Sequence, residues 1–232
     1  MNTKNKSVKS LLLISVSFSL IIGLSDCTST SFLRRTKEKT VSPAKHGQSK
    51  SKDPANYAIS ASVVGGLPGT RIEQYMEQQT IQLRQQLGGI AQVERIGEGI
   101  KMTFQSEILY PTGSYVLSND PQPFLKKLAL VLQDFKDTEL LIAGHTDSQG
   151  SLKTNQQLSE KRAESFADFL QAHGVPQLRI VTEGFGETTP KVSNRTLDGR
   201  RQNQRVEVVV VANQRLKDEI RKATESGSVV QN

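Results

Sequence analysis

GHTDSQGSLKTNQQLSEKRA, residues Gly144 to Ala163, is the stretch that decides how this chain reads. It begins where a short apolar run, Leu140-Leu141-Ile142-Ala143, stops. That run has the length and composition of a buried strand. The chain then turns through Gly144 and Gly150 and takes up a helical period. At about 100° per residue, Leu158, Ala163, Phe166, Ala167, Phe169 and Leu170 share one face. Glu160, Lys161, Glu164, Asp168 and Gln171 share the opposite one. Arg162 breaks the pattern. Its angle falls between those of Leu158 and Phe166, inside the apolar stripe, with Asn155 close by. An Arg aimed at a core requires an anionic partner, because burying an unpaired charge costs several kcal/mol. Asp147, in the turn between strand and helix, is the nearest candidate. Two readings stay open from the angles alone. Asp147 and Arg162 are a structural salt bridge, or they are the two poles of a polar pocket at a strand-to-helix junction.

Working outward, Ile100, Met102 and Phe104 alternate with polar residues, so Gly99–Phe104 is expected as a half-buried strand. Asp120-Pro121 supplies an N-cap and a first-turn proline. Phe124, Leu125, Leu128, Val131, Leu132 and Phe135 then form a strongly amphipathic helix. Glu139–Ala143 follows as a buried strand, and the central helix spans roughly 152–172, with Gly174 and Pro176 after its end. Leu178–Glu183 is the next strand. Arg205–Val211, almost continuously Val after its first residue, is the last and is covered on more than one side. The order β-α-β-α-β-β describes an α+β domain, two main helices on one mixed sheet. Ahead of it, Thr70-Arg71-Ile72-Glu73 has the form of a capping box. Ile72, Met76, Leu83 and Leu87 make a narrow helical stripe that Gly88-Gly89 ends. The simplest use of that stripe is docking on the domain. The charged tail, 214–232, continues as a short helix from Leu216.

GHTDSQG followed by N-x-x-L-S-x-x-R-A resembles the signature of the OmpA-like C-terminal peptidoglycan-binding domain, a family that includes the peptidoglycan-associated lipoproteins. The likeness continues through Gly184-Phe185-Gly186-Glu187-Thr188-Thr189-Pro190 and Gly199-Arg200-Arg201-Gln202-Asn203-Gln204-Arg205-Val206. The resemblance implies an OmpA-like sandwich over residues 93–213, preceded by the additional helix at 70–89. It also implies that Asp147 and Arg162 grip the diaminopimelate of the wall peptide stem, so peptidoglycan is the expected partner. A fixed Asp and a fixed Arg suit an ammonium and a carboxylate on one carbon, the guanidinium giving a planar fork for the carboxylate. Free N–H groups at the start of the central helix would favour the same anion. The resemblance further places Thr146, Asn155, Asn203 and Arg205 at ligand-binding positions, with Leu158 and Ala163 as core. The first Arg of the family's N-R-R-V motif is Gln204 here.

Composition narrows the rest. The chain has 232 residues, enough for one good domain with extensions, and a net charge of +7. Lys4, Lys6 and Lys9 precede Leu11–Leu24, the pattern of a signal segment, and the single Cys, Cys27, stands where a lipoprotein signal would end. Residues 1–26 are thus read as a lipoprotein signal peptide and Cys27 as the lipidated residue, although Asp26 occupies a position where Gly, Ala or Ser is usual. Residues 27–69 read as a tether, rich in Ser, Thr and Lys, ending in the small apolar run Ala58–Gly69. As a coil, residues 28–56 span about 30 Å and stretch to roughly 100 Å. The expected location is the outer membrane, lipid-anchored, with the domain in the periplasm. A stator-type protein is the rival reading and needs a retained membrane helix, for which the N-terminal run is short. Catalysis is disfavoured. His145 and Asp147 lie near Ser148 and Ser151, but no G-x-S-x-G is present. His46, His145 and His173 lack metal-ligand spacing, so no metal and no cofactor is expected. Nucleic acid is not an expected partner, because the positive charge concentrates in the tether without interleaved aromatics.

Overall fold

The computed structural model describes residues 71–226. The signal segment, Cys27, the tether, the Ala58–Gly69 run and the Thr70 capping position lie outside the described residues.

Helix α1 (Arg71–Leu87) comes first, and its narrow stripe is buried. Ile72 is 3 % exposed and Met76, Leu83 and Leu87 are fully enclosed, all within the main core. Tyr75 fastens the helix further, its hydroxyl accepting from the Asp137 backbone N–H at 3.2 Å and its ring meeting Phe135 edge-on at 5.1 Å. The docking reading therefore holds, and the helix is part of one core with the sheet.

Strand β1 (Ala91–Ile96) was not among the expected elements. It pairs antiparallel with β2 (Gly99–Gln105) through a tight turn in which Gly97 takes φ 54°. The reason it hides from hydrophobic periodicity is its place at the sheet edge, where Gln92 and Glu94 face water. A one-turn helix α2 (Ser106–Leu109) leads to the loop that precedes α3 (Gln122–Asp134). The cap of α3 differs from the expected one. Pro121 itself sits in the helical region at φ −75° and ψ −17°, its carbonyl accepts from Phe124 and Leu125, and no side chain caps the helix.

Strand β3 (Thr138–Gly144), helix α4 (Leu152–Ala172), a 3-10 turn (Gln177–Arg179) and β4 (Ile180–Gly184) form a parallel crossover unit. Helix α5 (Leu197–Asn203), a further unexpected element, precedes β5 (Arg205–Ala212), and α6 (Gln214–Glu225) closes the described chain. The sheet runs β1-β2-β5-β3-β4, with every pair antiparallel except β3 and β4. β5 is central, which explains its near-continuous Val run. Val206, Val208 and Val210 enter the main core, while Val209 packs with Ile96, Leu141 and Val211 in a second, smaller cluster. Each fully buried aliphatic side chain contributes about 1.5–3 kcal/mol relative to exposure, so the sheet and the three helices α1, α3 and α4 stabilise one another.

Candidate functional site

The site lies where β3 and β4 end side by side and α4 begins. Two glycines let the helix come down onto the strand ends. A Cβ on Gly144 would stand 2.1 Å from the Ser159 carbonyl oxygen, and one on Gly184 would stand 2.5 Å from the Glu160 nitrogen. Neither position has room for a side chain. Ser159 fills this closest approach, fully buried, donating to the Gln156 carbonyl and accepting from the Gly186 N–H at 2.9 Å. Leu158, expected in the core, is only half-buried, because the contact is too tight for a branched side chain. The two strand-end loops are laced together by Phe185 N to Gly144 O and Thr146 N to Gly186 O, each 2.9 Å.

Asp147 and Arg162 both sit inside this junction, 4 % and 3 % exposed. Asp147 Oδ1 accepts from the Gln149 N–H at 2.9 Å, and Oδ2 accepts from Gln204 Nε2 at 2.7 Å. Arg162 Nε donates to the Ser114 carbonyl at 2.9 Å, and the guanidinium lies over the Tyr110 ring at 5.2 Å. Tyr110 returns a hydrogen bond, its hydroxyl donating to the Arg162 carbonyl at 2.8 Å. Among the described residues no ion pair joins Asp147 to Arg162, and the terminal nitrogens of the guanidinium donate to nothing. Burial holds the Arg162 guanidinium below its ordinary pKa, offset in part by Tyr110 and by the Asp147 carboxylate. Burial raises the Tyr110 phenol. Two opposite charges share a pocket without pairing directly. That arrangement leaves both available to a ligand that carries both signs.

Thr146 lies beside them, 4 % exposed, with its hydroxyl buried and unpartnered. Asn155 is bonded within the chain. Its amide nitrogen donates to the Asp147 carbonyl at 3.2 Å and to the Glu187 carboxylate, so it clamps the loop after β4 onto the Asp147 turn. Ser151 caps α4 by accepting from Thr154 N at 3.1 Å, which occupies one of the N–H groups otherwise open to an anion. Asn203 is fully buried and uses both ends of its amide on the loop at 191–194, accepting from Lys191 N and Val192 N and donating to Val192 O and Asn194 Oδ1. Arg205 spends its guanidinium on Glu207 at 2.7 Å and on the carbonyls of Asn203 and Thr189. The structure therefore buries Asp147, Thr146 and Asn155 at one strand-end turn, with Arg162 near enough for the Asp147 carboxylate to act on it, while Asn203 and Arg205 are bonded into the surrounding wall.

That wall includes His145, which is fully buried and stacked on Phe185 at 5.4 Å, with Nδ1 on Thr189 Oγ1 at 2.9 Å. His145 Nε2 and Glu207 Oε2 lie 3.9 Å apart, each without a hydrogen-bond partner. Burial first, and the Arg205 guanidinium second, push the imidazole well below its ordinary pKa of 6.5, so the ring is neutral. Sequence reasoning missed Ser114 and Tyr110, which hold Arg162, and Gln204 as the partner of Asp147. An aromatic in the loop after a strand was the only available signal for Tyr110. Ser114 acts through its backbone, which residue identity does not mark.

The comparisons bear on the family and the fold. The family model described as OmpA family matches residues 109–204. The Escherichia coli (strain K12) protein named Probable lipoprotein YiaD is 32% identical over 163 residues, 70% of this chain and 74% of that one. The Mycobacterium bovis protein named Peptidoglycan-binding protein ArfA is 43% identical over 86 residues, 37% of this chain and 26% of that one. Among solved structures, the cell wall anchor of the T6SS from Pseudomonas aeruginosa superposes with a TM-score of 0.50 at 28% identity, covering 62% of this chain and 99% of that one. The mixed five-stranded sheet with its packed helices is thus an OmpA-like domain. The chain belongs to the OmpA family.

Proposed function

We propose that this protein binds peptidoglycan without catalysis, holding the diaminopimelate of the peptide stem between Asp147 and Arg162 and so tying the outer membrane to the wall. The observation that carries this reading is the unpaired state of two buried charges. Asp147 and Arg162 are each at most 4 % exposed, yet each is anchored by other groups and they form no ion pair with one another. A carboxylate entering the pocket meets the free fork of Arg162, and an ammonium on the same carbon meets Asp147. Thr146 Oγ1, buried and unpartnered, stands ready for a further bond. The names of relatives as a peptidoglycan-binding protein and a cell wall anchor support the ligand class.

The membrane end of the tie rests on Cys27, which lies outside the described residues, and on the likeness to a protein named a lipoprotein. The mass of the mature protein tests it. An acylated chain beginning at Cys27 is the expected result, and an unmodified chain would remove the anchor from the reading.

The site is tested by sedimentation with isolated sacculi, run beside a melting curve for each variant. Arg162→Ala removes the fork, and the loss of a charged hydrogen bond worth about 1.5–3 kcal/mol should weaken binding by roughly tenfold to over a hundredfold. Arg162→Lys should recover only part, because a point charge does not reproduce the fork. Folded variants that sediment like wild type would reduce the pair to a structural feature.

A further inference from the structure

Gln204 stands half-buried at the edge of the pocket, between α5 and β5. Its backbone is fixed at both ends. Its N–H donates to Arg200 O at 3.0 Å and its carbonyl accepts from Ser106 N at 2.9 Å. The side-chain amide is then oriented by its neighbour. A carboxylate only accepts, so the edge of Gln204 that meets Asp147 Oδ2 at 2.7 Å is the NH2 group. The edge left over is the carbonyl oxygen, which accepts nothing among the described residues. Asp147 has one bond on each oxygen and so keeps accepting capacity on both. The acidic side of the pocket therefore presents the oxygens of Asp147 and Gln204 with no cation among them. Arg162, near enough for the Asp147 carboxylate to act on its charge, supplies the donors.

Resting on the zwitterion reading above, we infer that Gln204 is the specificity-determining residue of this site. Its carbonyl oxygen joins Asp147 in seating the ligand's ammonium group and turns a carboxylate away from that side. An ammonium carries three donors and no acceptor, which matches neighbouring oxygens from two residues. A carboxylate placed there meets only acceptors. An Arg at this position would reverse the polarity. Its guanidinium would pair with Asp147, neutralise the seat and offer its remaining donors to a carboxylate.

The test uses the full chain and two synthetic stem peptides. One ends in diaminopimelate with its ammonium free, and the other has that ammonium acetylated. Affinities for both are measured for wild type, Gln204→Arg and Gln204→Glu, with a melting curve for each protein. Acetylation should weaken wild-type binding by about tenfold or more, the loss of a charge-assisted contact. Gln204→Arg should shrink that ratio to below about threefold, because the seat no longer selects a cation. Gln204→Glu loses the bond to Asp147 but adds negative charge on the same side and should keep or enlarge the ratio. A purely structural role for Gln204 would change melting and leave the ratio alone, so an unchanged ratio in a folded Gln204→Arg overturns the inference. If wild type binds both peptides equally while Arg162→Ala abolishes binding, the inference falls and the wall-binding reading stands. If folded wild type binds neither peptide, the wall-binding reading falls and takes the inference with it.

Discussion

Two arginines of the crossover unit carry desolvated guanidinium groups, and the molecule treats them differently. Arg179 lies at the start of β4 and spends its whole guanidinium on the chain. Nε donates to Thr138 O, Nη1 to Leu132 O, and Nη2 to both Phe135 O and Thr138 Oγ1, at 2.7–2.9 Å. It thereby satisfies carbonyls that the C-terminal end of α3 leaves open. Arg162 lies on α4 and spends only Nε, on Ser114 O. Burial lowers the pKa of both guanidinium groups, so desolvation does not separate them. What separates them is the number of donors left over. A saturated guanidinium is a joint in the scaffold. One that keeps its fork open, near a buried carboxylate, is what the proposed site requires.

The largest expected effect follows from the saturated arginine. Arg179→Ala removes a donor from three backbone carbonyls and a hydroxyl, of which the Phe135 carbonyl keeps the Thr138 hydroxyl, and water reaches some of the rest because Arg179 is only half-buried. A loss of about 2–4 kcal/mol in stability is expected from denaturant unfolding, with sacculus binding by the folded fraction unchanged. Reduced binding at full folding would erase the contrast between the two residues. Next comes Arg162→Ala, where the order inverts. The roughly tenfold to over hundredfold loss of binding should come with a smaller loss of stability than Arg179→Ala shows, since one carbonyl bond and one ring contact are removed. A melting loss equal to that of Arg179→Ala would move Arg162 to the structural side.

The smallest effect concerns the wall behind the pocket and its pH dependence. His145 is held neutral in the folded protein, its pKa depressed by burial and by Arg205, whereas in the unfolded chain it titrates near 6.5. Below that pH the unfolded state binds a proton that the folded state does not. The stability due to this group is therefore fully present above about 6.5 and is lost as pH falls towards the folded pKa. The slope it adds is at most about 1.4 kcal/mol per pH unit. Denaturant midpoints measured from pH 7 to pH 5 should fall in wild type, and His145→Gln should flatten the curve by that share. Equal slopes in both proteins would show that the imidazole takes up its proton in the folded state, with Glu207 as the partner.

Much of this was legible because the features were periodic. The bounds of α4, its buried Phe166 and Leu170, and the inward angle of Arg162 all follow from one 3.6-residue count. The Val run of β5 announced a strand buried at the centre of a sheet. The misses share a physical cause as well. β1 is an edge strand whose Gln92 and Glu94 face water, so its apolar signal is thin. The wall that holds Arg162 is built from a backbone carbonyl at Ser114 and from Tyr110, in a loop with no period. Leu158 reads as core, yet Ser159 holds the closest approach, because a hydrophobicity count does not register that two glycine strand ends bring backbone against backbone. Asn203 and Arg205 fell on the right motif, but only coordinates show that their polar groups are spent on the loop and on Glu207.

The buried stripe of α1 has a mechanical meaning. Arg71 is the point at which the chain ahead of it enters the described domain, and on the proposed function that chain is a link under tension. Any pull arriving at Arg71 is loaded first onto Ile72, then Met76, Leu83 and Leu87 in turn, and onto the bond between Tyr75 and Asp137. The proposed wall grip lies on strand ends laced to α4. Force must travel through the helix, the core and the sheet before it reaches Asp147 and Arg162. α1 is thus the shoulder on which the load rests, taking up strain so that the grip keeps its shape.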